Sequence, residues 1–166
     1  IVPSYVVFGS ETYRDGVDLS REAFYAKLIE TRLIPTTATP PPGIYEEAYR
    51  RLAKTTNEII SIHLAGNLSA LYQTALLAAK NVPQARIVVV DSKQVTMGYG
   101  WLVVAAAEAA QQGASLDQIA DLVDGMVDRT RVVAVLDTLE YLYRGGRVGW
   151  VQALLGTLMR IKPIIE

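Results

Sequence analysis

Apolar residues fall into two rhythms along this chain. Short unbroken runs, rich in β-branched residues, read as buried strands: Tyr5-Val6-Val7-Phe8, Ile59-Ile60-Ser61-Ile62-His63-Leu64, Ile87-Val88-Val89-Val90 and Val132-Val133-Ala134-Val135-Leu136. Between them, apolar positions recur at helical spacing. One such face carries Phe24, Leu28 and Ile29 behind a capping Ser20. A second carries Tyr45, Ala48, Tyr49 and Leu52, and a third Leu68, Leu71, Tyr72, Ala75 and Ala79. A long Ala-rich helix is expected over about 97–112, ended by Gly113, and Ser115-Leu116-Asp117-Gln118 forms a capping box for the next. Residues 137–140 are expected to cap a short helix, and a final one to span about 148–160. The first strand leads into a polar loop through Asp15-Gly16, and the prolines of segment 33–43 rule out a helix there.

Apolar strands alternating with helices predict an α/β fold, a parallel sheet with helices on both faces. Ligands of such sheets collect beyond the carboxyl ends of the strands, near helix N-termini. Loops 64–69, 91–98 and 137–147 occupy those places, and the threonine- and proline-rich loop joins them through its clustered hydroxyls. Thr36, Thr37 and Thr39 can donate to an anionic oxygen or satisfy local backbone in a stiff turn. Ala65-Gly66-Asn67-Leu68-Ser69 joins a strand to a helix, so its N–H groups can face an anion, or Asn67 or Ser69 can serve as an ordinary cap. Arg144-Gly145-Gly146-Arg147 pairs permissive glycines with planar guanidinium forks suited to a carboxylate or phosphate; a solvated helix C-terminus is the plainer alternative. His63, inside an apolar strand, is a structural histidine or a phosphoryl acceptor or base, and Asp91 has no visible histidine partner. No nucleophile, base and orienting group assemble into a set, which favours binding over catalysis.

Composition narrows this further. With no cysteine and one histidine, thiolate chemistry, disulfides and zinc sites built from those residues are excluded. Sixteen basic against 17 acidic residues give no field for a nucleic acid. No apolar stretch approaches the ~20 residues of a membrane helix. No charged-then-apolar leader opens the sequence, so a cytoplasmic location is expected. Neither a Walker loop nor a complete dinucleotide glycine motif is present: Gly98-Tyr99-Gly100 lacks the third glycine. The hydrophobic share of 51% is high, which implies a dense core or an apolar surface that something covers.

Those loops also carry a family pattern. Pro35-Thr36-Thr37-Ala38-Thr39-Pro40 is similar to a Thr-Ser-Gln-Pro loop, with Thr37 at the threonine. Residues 62–73 are similar to a Ser-Ser-x-Leu-Ser-Gly-Thr-Tyr-Gln stretch. Val90-Asp91-Ser92-Lys93, Met97-Gly98-Tyr99-Gly100, Leu139-Glu140-Tyr141-Leu142, Arg144-Gly145-Gly146-Arg147-Val148-Gly149, Leu155-Gly156 and Ile161-Lys162-Pro163 follow in order. Together they resemble the DegV family of fatty-acid-binding proteins. The resemblance implies a DegV-like N-terminal lipid-binding domain over residues 1–166, with the family's first strand expected before Ile1 and its second domain after Glu166.

It further implies a non-catalytic carrier without cofactor, holding a long-chain fatty acid in a tunnel and presenting it to a fatty acid kinase for phospholipid synthesis. Thr37 is the expected carboxylate contact and Arg147 a contact for the head group. The family's paired serines fall on Ala65 and Gly66, so Gly66, Asn67 and Ser69 are expected to substitute through backbone N–H or side chain; Thr39 stands where the family has glutamine. The physics fits a lipid: about 14 methylenes at ~0.8 kcal/mol each give on the order of 11 kcal/mol of gross burial. A light polar grip then suffices for orientation, after several kcal/mol of ordering cost. A small-molecule phosphotransfer or kinase-like component of a related α/β fold, or an interaction module with a vestigial pocket, are the alternatives.

Overall fold

The computed structural model of this chain describes residues 1–147, 162, 164 and 165. The chain opens with a small antiparallel sheet made of β1 (Tyr5–Phe8), β2 (Glu11–Arg14) and, after helix α1 (Arg21–Thr31), β3 (Thr36–Ala38), in the order β2-β1-β3. One expectation is corrected here. The polar stretch after the first strand is itself a strand, turned back by the two-residue loop Gly9-Ser10, with Gly9 at φ 60°. A glycine at positive φ is what a tight hairpin needs, and the exposed polar side chains of β2 hid it. Ile1-Val2-Pro3 precede the strand.

The proline-rich segment is also more ordered than a loop. Thr36–Ala38 pairs with β1, Val6 standing opposite Thr37, and Pro42 opens the next helix. Proline is accommodated at a first helical position, because its missing N–H would have no partner there. On α1, the Ser20 hydroxyl accepts from the Ala23 N–H at 3.2 Å. Phe24 and Leu28 pack on Val6, Phe8 and Leu19, whereas Ile29 is 78% exposed and leaves the predicted face.

The centre is a parallel pair. β4 (Glu58–His63) and β5 (Arg86–Asp91) run in register from Glu58 opposite Arg86 to His63 opposite Asp91. Side chains alternate across strands, and each parity meets its own helices. Odd-numbered Ile59, Ile87 and Val89 pack with Tyr45 and Tyr49 of α2 (Pro42–Leu52) and Ala75 and Ala78 of α3 (Leu71–Lys80). Even-numbered Ile60, Ile62, Val88 and Val90 pack with Leu102 and Ala106 of α4 (Thr96–Gln111) and Ile119 and Val123 of α5 (Leu116–Val127). The predicted α/β architecture, parallel strands with helices on both faces, is therefore present. Burial on two sides is why these strands read as unbroken apolar runs.

Details within that frame differ. Leu52 is exposed, and Leu68 lies in the turn before α3. The capping box opens α5 with both of its bonds formed. Of the run 132–136, Ala134–Val135 forms β6, paired antiparallel with β7 (Ile164–Ile165) and not with the parallel strands. Helix α6 (Glu140–Arg144) has Leu139 at its cap position, and the Thr138 hydroxyl accepts from the Glu140 N–H at 3.1 Å. The helix predicted over 148–160 lies outside the described residues.

Candidate functional site

The site begins with two residues 110 positions apart. An Nη2 N–H of Arg147 donates to Thr37 Oγ1 at 2.9 Å. Thr37 is held on β3 by its pairing with Val6, and Arg147 is aimed by the end of α6. There the Gly146 N–H bonds Tyr143 O at 2.9 Å, and the Arg147 N–H reaches back to Leu142 O at 3.3 Å, with Gly146 at φ 71°. This pattern of backbone bonds about a left-handed glycine ends a helix and reverses the chain. Gly145 has its own constraint: a Cβ there would sit 3.0 Å from Tyr141 O. The glycine pair thus ends the helix and also directs Arg147 to Thr37, while Arg144 turns away to Glu140 at 2.6 Å.

The chemistry of the pair suits an anion. The Thr37 oxygen accepts from the guanidinium, which leaves its O–H to donate elsewhere. Arg147 uses one N–H on Gly145 O and one on Thr37, and a guanidinium has five. Beside Thr37 lies a cleft of about 510 Å³, with Val6, Phe24, Tyr25 and Pro35 as apolar wall and Asp15 and Arg21 as polar wall. The sequence reading did not pick out Phe24 and Tyr25 as wall. Helical spacing put Phe24 on a core face and did not mark Tyr25, and their nearness to the threonine loop comes from the β1–β3 pairing.

The other predicted contacts are placed differently. The Gly66 N–H donates to Asp91 Oδ1 at 3.0 Å, and the Lys93 N–H donates to the same oxygen at 2.9 Å. Asp91 therefore ties the turn after β4 to the turn after β5. A Cβ at Gly66 would lie 2.7 Å from Asp91 Oδ2, so glycine is required for this closeness. The Ala65 N–H is likewise occupied, by Gln94 O at 2.9 Å. Asn67 is exposed, and Ser69 Oγ accepts from the Leu71 N–H at 3.4 Å, which serves the start of α3. Among the described residues, no hydrogen bond joins this turn to Thr37 or Arg147.

His63 takes a structural part. Its Nε2 shares a hydrogen bond with Ser61 Oγ at 2.8 Å, Ser61 shares another with the Tyr49 hydroxyl at 2.8 Å, and its ring lies 5.8 Å from that of Tyr45. Burial pushes His63 down to about 4 against the opposing pull of Asp91, so the imidazole is neutral near pH 7. With its Nε2 committed to Ser61, the histidine version of a phosphotransfer site loses support. Among the described residues, no group of acidic and histidine side chains could hold a metal ion, and no helix is long and apolar enough to cross a membrane.

Comparison with known proteins places the chain in a family and a fold. A family model described as an uncharacterised protein of the DegV family matches residues 1–166. A DegV domain-containing protein of Caldanaerobacter subterraneus subsp. tengcongensis is 38% identical over 165 residues, covering 99% of this chain and 59% of that protein. The chain thus spans about three-fifths of that relative's length. Among solved structures, a DegV family protein from Thermus thermophilus, described by its fatty acid binding, superposes with a TM-score of 0.86 at 35% identity, over 98% of this chain and 58% of the other. A stearic acid-binding protein from Eubacterium ventriosum gives a TM-score of 0.84 at 29% identity, over 99% and 61%. With the family model matched from end to end and the fold shared, this chain belongs to the DegV family.

Proposed function

We propose that this chain is the head-group-binding part of a non-catalytic, cytoplasmic carrier of long-chain fatty acids, which presents the carboxylate to a fatty acid kinase. The observation that carries the reading is the Arg147–Thr37 contact, which joins a guanidinium to a hydroxyl that lines a cleft. A carboxylate suits that pair: it accepts the Thr37 O–H and the remaining N–H donors of Arg147, as charge-assisted hydrogen bonds. The first methylenes of the tail lie against Val6, Phe24, Tyr25 and Pro35, in a cleft within the usual range of about 300–1,000 Å³ for small-molecule sites. The second domain implied by the family resemblance supplies the rest of the tunnel. Thr37 and Arg147 take the central roles, and the Gly66, Asn67 and Ser69 turn contributes as a rigid neighbour rather than through the Gly66 N–H. Relatives described as fatty-acid-binding or stearic acid-binding support the ligand class.

Native mass spectrometry of the whole protein tests the reading. The expected result is a co-purified acyl chain, or uptake of one equivalent of oleate. Protein that stays empty after oleate is added contradicts it.

A further inference from the structure

The walls of the Thr37 cleft are not those of a plain alkyl channel. Val6, Phe24, Tyr25 and Pro35 give it an apolar side, but Asp15 and Arg21 line it as well. Both charged residues are exposed, and among the described residues neither side chain makes a hydrogen bond or ion pair, with the other or with any neighbour. The Asp15 backbone is held, its N–H donating to Ser4 O at 2.9 Å, so the carboxylate is fixed in place and still open to a donor. A methylene chain laid against these two side chains strips water from both and returns no hydrogen bond.

Strand register sets how far this polar wall lies from the head-group contact. Asp15 continues β2 past Arg14 and stands opposite Ser4, while Thr37 and Tyr13 flank Val6 on either side of β1. Residues two apart on a strand share a face, so Asp15, Tyr13 and Thr37 project to the side of Val6, against which Phe24 packs. Two strand spacings across and two residues along, at about 4.8 Å and 3.4 Å per step, put the Asp15 and Thr37 Cα atoms roughly 12 Å apart. Two side chains and two hydrogen bonds of about 2.8 Å take up most of that span. A ligand oxygen at Thr37 and a second one at Asp15 are thus separated by only a few carbon atoms.

The charges choose the second group. An anion there is repelled by Asp15, and a cation by Arg21. A hydroxyl serves both at once: its O–H donates to the carboxylate, and its oxygen accepts from the guanidinium. We propose that the cleft selects long-chain fatty acids with a hydroxyl close to the carboxylate, 3-hydroxy acids foremost, and that Asp15 and Arg21 are the residues that read it. The proposal rests on the head-group role of Thr37 and Arg147 and adds a second point of recognition beside it.

Titration calorimetry on the whole protein tests this with palmitate, the two enantiomers of 3-hydroxypalmitate, and ω-hydroxypalmitate. One enantiomer of the 3-hydroxy acid is expected to bind about tenfold more tightly than palmitate, the worth of one hydrogen bond, and the ω-hydroxy acid to gain nothing. In Asp15→Ala that ratio is expected to fall to about one, and in Arg21→Met to shrink in the same direction. Both side chains are exposed and unpaired among the described residues, so the fold does not depend on them. Equal affinity for palmitate and both enantiomers overturns the proposal and leaves the carrier reading standing, as does a preference that survives both substitutions. Protein that binds none of these acids overturns both.

Discussion

Exchanging His63 for glutamine and following unfolding free energy between pH 7 and pH 4.5 isolates a single ionisation in the core. The imidazole sits half-buried between Ser61 and the Tyr45 ring, and burial lowers it from an ordinary 6.5 to about 4. In the unfolded chain it takes a proton at the ordinary value, so between those two values the unfolded state binds more protons than the folded one. Stability tied to this group is complete above about pH 6.5 and is lost as pH falls toward 4. A difference of about 2.5 units at 1.36 kcal/mol each bounds the effect near 3 kcal/mol, and by pH 4.5 most of that, roughly 2–3 kcal/mol, should be gone. Urea titrations at half-unit pH steps measure it. The native chain is expected to lose stability across that window, and His63→Gln, with no proton to take up, to stay nearly level down to the range where carboxylates titrate. Equal slopes for both would refute the placement of a neutral, desolvated imidazole. Asp18, held down to about 2 by Arg14, adds a loss in the same direction only at lower pH, as it becomes protonated.

Other substitutions probe the loops. Gly66→Ala places a Cβ 2.7 Å from Asp91 Oδ2 and forces the carboxylate off the Gly66 and Lys93 amides; a loss of about 1–3 kcal/mol in urea unfolding is expected, and no loss would refute that link. Gly146→Ala meets open space, so its expected cost of about 1 kcal/mol comes from positive φ alone, a drop of roughly 2–4 °C in Tm by calorimetry. In the whole protein, Thr37→Ala is expected to weaken palmitate binding about tenfold by titration calorimetry, the worth of one hydrogen bond, with stability unchanged because the residue is exposed. The 166-residue chain alone should bind palmitate only weakly, and submicromolar affinity there would show that the cleft needs no further wall.

The parallel pair and its helices were legible because burial on both faces leaves a plain mark. Runs such as Ile87-Val88-Val89-Val90 have no polar face to offer solvent, and Ser115 with Gln118 announces a helix start whatever the surroundings. The hairpin partner Glu11–Arg14 was not legible, because an exposed edge strand may carry any polar side chain and only Gly9 marks the turn. β3 was hidden by the prolines around it, although only its own three residues need to pair. At the site, Thr37 and Arg147 were each readable as anion contacts, but their meeting was not, since it depends on how β3 and the end of α6 pack in space. The reading of Gly66 as a free N–H donor missed Asp91, whose side chain returns across 25 positions to take that proton donor. Sequence spacing cannot reveal a partner from the next strand's loop.

The most direct test is a crystal structure of the whole protein with palmitate bound. The account predicts a carboxylate oxygen within hydrogen-bond distance of both Thr37 Oγ1 and the Arg147 guanidinium, with the tail leaving along Phe24 and Tyr25. A carboxylate held at another place, with Thr37 and Arg147 still bonded to each other and not to it, would contradict it.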